Sequence, residues 1–142
     1  SGDIVFTAGH EAKQMLFIKQ GELQYVGLNR IILEPALQHE ECFVEPALWV
    51  SWRHVGDCKV LAPGELIGIW NDLFAKEMCL HHLPWSFCKM YALQFSEKLN
   101  AIAPENLSDV LREDEMGMSK MVGKAVKEFF PEMPEPALNS KG

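Results

Sequence analysis

Between residues 4 and 70 the chain never stays apolar for long before a glycine, a proline or a polar pair stops it, and this punctuation constrains the fold most. Ile4-Val5-Phe6 is halted by Ala8-Gly9-His10, and Met15-Leu16-Phe17-Ile18-Lys19 is closed by Gln20-Gly21. Leu23-Gln24-Tyr25-Val26-Gly27-Leu28 alternates with period two for most of its length. Such alternation sends one set of side chains to a core and the other to solvent, as a half-buried strand requires. Ile31-Ile32-Leu33 is another short candidate, as are residues 58–61 and 66–70 on either side of the turn Pro63-Gly64. Short strands with turn signals roughly every 8–12 residues predict a small antiparallel barrel or sandwich.

The second half changes character. Asn71 is placed to cap a helix running to about residue 80. Pro84 stands where a first-turn proline is tolerated and opens a long helix. Along it Cys88, Tyr91, Ala92, Phe95, Leu99 and Ile102 form one stripe at helical spacing, the face expected to pack on the β-layer. Pro104 and Gly117 punctuate two further helical candidates, near residues 107–112 and 119–130. Pro131-Glu132-Met133-Pro134-Glu135-Pro136 cannot continue a helix and is read as an exposed tail. The predicted class is therefore α+β, mainly β, with strands first and helices after. Glu-Pro-Ala-Leu begins at Glu34, Glu45 and Glu135, but these spacings share no structural period and define no repeat.

Composition narrows the function. With 142 residues and 48% apolar content, the chain is long enough for a genuine core. No apolar run approaches the roughly 20 residues that span a bilayer, and Ser1-Gly2-Asp3 has neither a basic leader nor an apolar signal core. A formal charge of −7 argues against nucleic-acid binding, which depends on neutralising phosphates, and the acidic stretch Glu113-Asp114-Glu115 offers no basic recognition helix. Cys42, Cys58, Cys79 and Cys88 form no CxxC pair and read as free thiols of a reducing compartment, so the expected location is cytoplasmic, alone or within a larger protein. Cys79 with His81-His82 lacks a partner at ligand spacing, so no metal site is expected. No nucleophile–base pair, phosphate loop or His–Glu metal motif is found, and neither a catalytic residue nor a cofactor is assigned.

From Gly2 to Gly21 the sequence resembles the cyclic-nucleotide-binding domain family. Gly2, Val5, Phe6, Gly9, Ala12, Leu16, Phe17, Ile18 and Gly21 fit that family's pattern of a glycine, an apolar strand, a glycine turn and a second strand ending on glycine. Tight β-roll turns give the glycines a physical reason. A second match is the phosphate-binding cassette, Phe-Gly-Glu-x-Ala-Leu, a loop, then Arg-x-Ala; here it reads Phe43-Val44-Glu45-Pro46-Ala47-Leu48 and continues through Trp49, Trp52, Arg53, His54, Val55 and Gly56. The resemblance covers about residues 2–100 and lacks the family's usual leading helix and first strand, so the chain reads as a fragment of something longer. It implies an antiparallel β-roll, jelly-roll-like, of about eight short strands followed by C-terminal helices. The division expected is a roll with its helix over residues 1–102 and a helical, proline-rich extension over 103–142.

The resemblance also implies roles. The glutamate of the cassette would bond a ribose hydroxyl, main-chain N–H groups of the short helix would cradle a phosphate, and an arginine would neutralise it, the pattern of an anion at a helix N-terminus. The ligand-binding set is thus Phe43, Val44, Glu45, Pro46, Ala47, Leu48, His54, Val55 and Gly56. Glu45 reads as ribose acceptor or as a capping carboxylate, His54 as a weakened anion contact or a plain strand histidine, and Trp49 and Trp52 as base-stacking rings or core filler. Val44 puts a β-branched side chain where the cassette has glycine. Strand phase chooses His54 over Arg53 for the arginine position, because His54, Gly56, Cys58 and Val60 then share an inner face. Losing the arginine contact costs about 10- to 100-fold in affinity. The expected function is a regulatory domain that senses a small anionic ligand, its cAMP/cGMP site weakened, and passes occupancy through its C-terminal helices to a neighbouring domain or partner protein. The alternative is a β-roll that lost its ligand and serves as a protein-interaction module.

Overall fold

Alternation and glycine placement produce the strands, and one change of phase makes them a roll. In a computed structural model, residues 2–112 are described. Strands β1 (Ile4–Phe6), β2 (Glu11–Ala12), β3 (Gln14–Val26), β4 (Cys42–Phe43), β5 (Trp52–Arg53) and β6 (Asp57–Trp70) precede helices α2 (Asn71–Met78) and α3 (His82–Asn100), and a short helix α1 (Pro46–Trp49) follows β4. One sheet has the order β1-β6-β3-β4 and a second pairs β2 with β5, all antiparallel. The β-first, antiparallel roll class holds.

The strands are fewer and longer than the punctuation predicts. β3 and β6 pair from Gln14 opposite Trp70 to Val26 opposite Asp57, with register shifts between Ile18 and Leu23. The turn signals Gln20-Gly21 and Pro63-Gly64 are therefore bulges inside two long strands. Gly21 takes φ +106°, and a Cβ on Gly64 would fall on the Gln20 carbonyl, so the two backbones meet where only glycine fits. The bulge has a second effect. Before it Leu16 and Ile18 point inward, and after it Leu23 and Tyr25 do, so parity changes and both halves of β3 feed one core. The Ile31-Ile32-Leu33 candidate shrinks to a single bridge between Val26 and Ile32.

Of the predicted helical stripe, Tyr91, Phe95 and Leu99 are buried in that core, with Ile102 packed against it. Trp70, rather than Asn71, stands at the N-cap of α2, and Asn71 is the first helical residue. Residues 107–112 do not form the predicted helix: after a 3-10 turn at Pro104–Asn106 the chain runs back onto the roll without regular structure, bent at Asp109. Asp109 and Val110 are buried there, and Arg112 bonds the Glu41 carboxylate at 3.1 and 3.2 Å. The carboxylate of Asp109 is bonded by donors of the roll, and this tertiary tie replaces helical hydrogen bonding in the segment. The predicted helix at 119–130 and the tail at 131–136 lie outside the described residues.

Candidate functional site

A carboxylate in a protein interior must find donors for its lone pairs. Asp109, fully buried, finds five. Oδ1 accepts from Trp52 Nε1 at 2.8 Å and lies 3.2 Å from His54 Nδ1. Oδ2 accepts from the Tyr25 hydroxyl at 2.8 Å and from the main-chain N–H groups of Val55 at 3.0 Å and Gly56 at 2.9 Å. The Asp109 N–H donates to the Tyr25 hydroxyl at 3.0 Å, and its carbonyl accepts from Val44 N–H at 2.8 Å. Because a carboxylate only accepts, His54 presents Nδ1–H to it. Gly56 is required by this packing: a Cβ there would sit 2.6 Å from the Tyr25 hydroxyl oxygen. The buried charge acts on its neighbours. Burial first, and then Asp109, raise Tyr25 above its usual range and push the Cys58 thiol up to about 12.

The predicted ligand-binding residues divide between two places. His54, Val55 and Gly56 converge on Asp109. His54, 9% exposed, also stacks on Phe6 with ring centroids 3.7 Å apart. Inward His54, Gly56 and Cys58 alternate with exposed Arg53 and Lys59, and Arg53 donates instead to the Gly9 carbonyl at 3.0 Å. The other predicted residues build the α1 corner. Phe43, Val44, Pro46 and Ala47 are buried and Leu48 is half-buried. Val44 holds φ +62°, a left-handed conformation unusual for a β-branched residue, with its side chain in the core. In α1 Ala47 N–H bonds the Val44 carbonyl and Leu48 N–H the Glu45 carbonyl. The Glu45 carboxylate accepts from Trp49 Nε1 at 2.9 Å and from the Tyr91 hydroxyl at 3.0 Å, tying α1 to α3. Trp49 packs on Tyr91 and edge-on against Phe74.

A cavity of about 460 Å³ is lined by His54 together with Phe6, His10, Glu11, Lys13, Leu16 and Trp70 among others. Of the predicted set only His54 lines it. Among the described residues no group of three His, Cys, Asp or Glu side chains is placed to hold a metal ion, and no helix is long and apolar enough to cross a membrane. Sequence reasoning missed Asp109 and Tyr25 as site residues. The available signal was weak: an aspartate flanked by Leu107, Val110 and Leu111 in a segment read as helical.

By fold, the chain is an antiparallel β-roll with following helices. The sensor domain of the transcriptional regulator DNR from Pseudomonas aeruginosa matches it with a TM-score of 0.54 at 18% identity, over 75% of this chain and 75% of that one. A second structure of DNR from the same organism matches with a TM-score of 0.51 at 14% identity, over 93% of this chain and 74% of that one. At such identities the likeness is one of fold. Comparison with protein-family models and with curated sequences gives no match.

Proposed function

We infer that this chain is a ligand-sensing regulatory domain, without catalytic activity of its own, that takes a small anionic ligand in the roll cavity beside His54. One observation carries the reading: His54 lines the cavity and, through Nδ1, bonds Asp109 in the segment that follows α3. A ligand at His54 that prefers one arrangement of that segment over another would shift its position, and differential affinity is all that such a switch requires. His10, Lys13 and Gln14 line the same cavity and can donate to an anion, with Glu11 the one carboxylate beside them. The role matches that of the Pseudomonas aeruginosa domain, described as a sensor. In this reading His54 contacts the ligand and Val55 and Gly56 hold Asp109, while Phe43, Val44, Glu45, Pro46, Ala47 and Leu48 build the α1 corner away from the cavity lining. The roll with its helix spans 1–102, residues 103–142 are the output segment, whose first part docks on the roll, and the free thiols suit a cytoplasmic setting.

cAMP and cGMP should bind weakly, with dissociation constants above about 10 μM, because no arginine fork faces the phosphate. Calorimetry at pH 7 tests this, and submicromolar binding of either nucleotide would refute it. A thermal-shift panel of small anions tests the broader reading, since saturation at about 100 times the dissociation constant adds roughly 2.7 kcal/mol. Silence across the panel would favour a protein-interaction module instead. That second reading draws on the exposed apolar side chains Ile67, Ile69, Trp70 and Leu73, which sit close in sequence at the end of β6 and the start of α2.

A further inference from the structure

The donors at the predicted anion-contact positions already hold an anion, and it belongs to the chain. Val55 N–H, Gly56 N–H and His54 Nδ1 all point at the Asp109 carboxylate, joined by Trp52 Nε1 and the Tyr25 hydroxyl. Four of the five donors lie within the short stretch from Trp52 to Gly56, whereas Asp109 arrives from 53 to 57 residues further along. The donor set and its occupant are thus on separate parts of the chain, and the occupant's part can leave without dismantling the set. Beyond the Asp109 carboxylate the segment is held by the Val44 N–H to Asp109 carbonyl bond, the Asp109 N–H to Tyr25 hydroxyl bond, buried Val110, half-buried Leu107 and Leu111 packed on the core, and the Arg112 contacts to Glu41 and to the Ala36 carbonyl.

We propose that Asp109 is a tethered anion occupying a carboxylate- or phosphate-type oxyanion site formed by Tyr25, Trp52, His54, Val55 and Gly56, and that an external oxyanion binds there only when residues 108–110 withdraw. This oxyanion site is distinct from the cavity of the sensing reading and shares only His54 with it; the assignment rests on that reading for its consequence, the segment after α3 being docked while Asp109 holds the donors and released when an external oxyanion takes them. Intramolecular tethering makes Asp109 a competitor at high effective concentration, so the intact chain binds free oxyanions weakly.

Chemical rescue in the full chain tests it. Asp109→Gly removes a group the size of acetate, and Asp109→Ala removes one the size of formate. Thermal melts in acetate, formate or chloride at equal ionic strength should show acetate raising the Tm of the glycine variant and formate that of the alanine variant, by about 5 °C at 100 mM, with the parent chain unmoved. Equal responses of variants and parent overturn the assignment. Should neither variant melt cooperatively, Asp109→Asn keeps the shape, removes the charge and exchanges one acceptor oxygen for a donor. Its Val55 and Gly56 amides should then exchange faster than in the parent and slow again in inorganic phosphate, and exchange indifferent to phosphate overturns the assignment. The two readings fail separately. Rescue with silence across the ligand panel leaves the tethered anion and removes the sensor. A panel ligand that binds the parent chain while the Asp109 amide, which donates to the Tyr25 hydroxyl, stays as protected as before leaves the sensor and removes the tether.

Discussion

Asp109 fixes several side chains at once, and its neighbours should respond to substitution as a unit. Tyr25→Phe deletes a donor to Oδ2 and the acceptor of the Asp109 N–H, and Trp52→Phe deletes a donor to Oδ1. Each is expected to lower stability by about 1.5–3 kcal/mol in urea denaturation, because a buried charged acceptor loses a partner. The double substitution should depart from additivity by at least about 0.5 kcal/mol, since both donors serve one carboxylate. Alkaline pH probes the same centre. Cys58, with its ordinary value near 9 raised to about 12, keeps its proton in the fold more tightly than in the unfolded chain. Its stabilisation is therefore complete below pH 9 and is lost as pH rises toward 12; Tyr25, also raised, adds in the same direction. Melting temperature followed from pH 7 to about 10.5 should fall over the upper part of that range, and more shallowly in Cys58→Ala. An unchanged slope in that variant would refute the assignment to Cys58. The inward placement of His54 was legible in the sequence from strand parity alone. Asp109 was not, because a buried carboxylate is recognised by donors that only the folded chain gathers.

At the scale of elements, the sequence showed that strands precede helices and hid how the strands join. Gly21 and Pro63-Gly64 carry the residue types of turns, yet each is a bulge, since nothing local distinguishes a chain that reverses from one that bends and continues alongside a distant partner. The α3 stripe was legible because its period is internal to the helix. Residues 107–112 were not, because the donors of the roll override their weak helical preference. The bulge makes a sharp prediction. Gly64→Ala drives a methyl group into the Gln20 backbone, so β3 and β6 must part locally. A loss of about 2–4 kcal/mol is expected by denaturant titration, with faster amide exchange at Gln20 and Glu22 than at the far end of the pair. A neutral result would show that the two backbones separate easily.

Over the whole molecule, the last described residues pack back on the roll, and the exposed 3-10 turn at Pro104–Asn106 joins α3 to that segment. A protease site inserted in this turn should leave the intact protein nearly as stable as the parent. Cleavage should then lower Tm by about 10 °C and make it depend on protein concentration, because the Asp109 segment would be held only by association. A cut protein that melts like the uncut one would show that the roll stands without its last strand of contacts. The same geometry sets a timetable for synthesis. Tyr25 is made 84 residues before Asp109, and Gly56 is made 53 residues before it. On a translating ribosome the roll waits with its interior donors unanswered until nearly the whole described chain has emerged. Contacts this distant in sequence fold slowly and leave strand edges open meanwhile. The nascent protein is therefore most exposed to aggregation just before residue 109 appears, and slowing translation there would lengthen that interval.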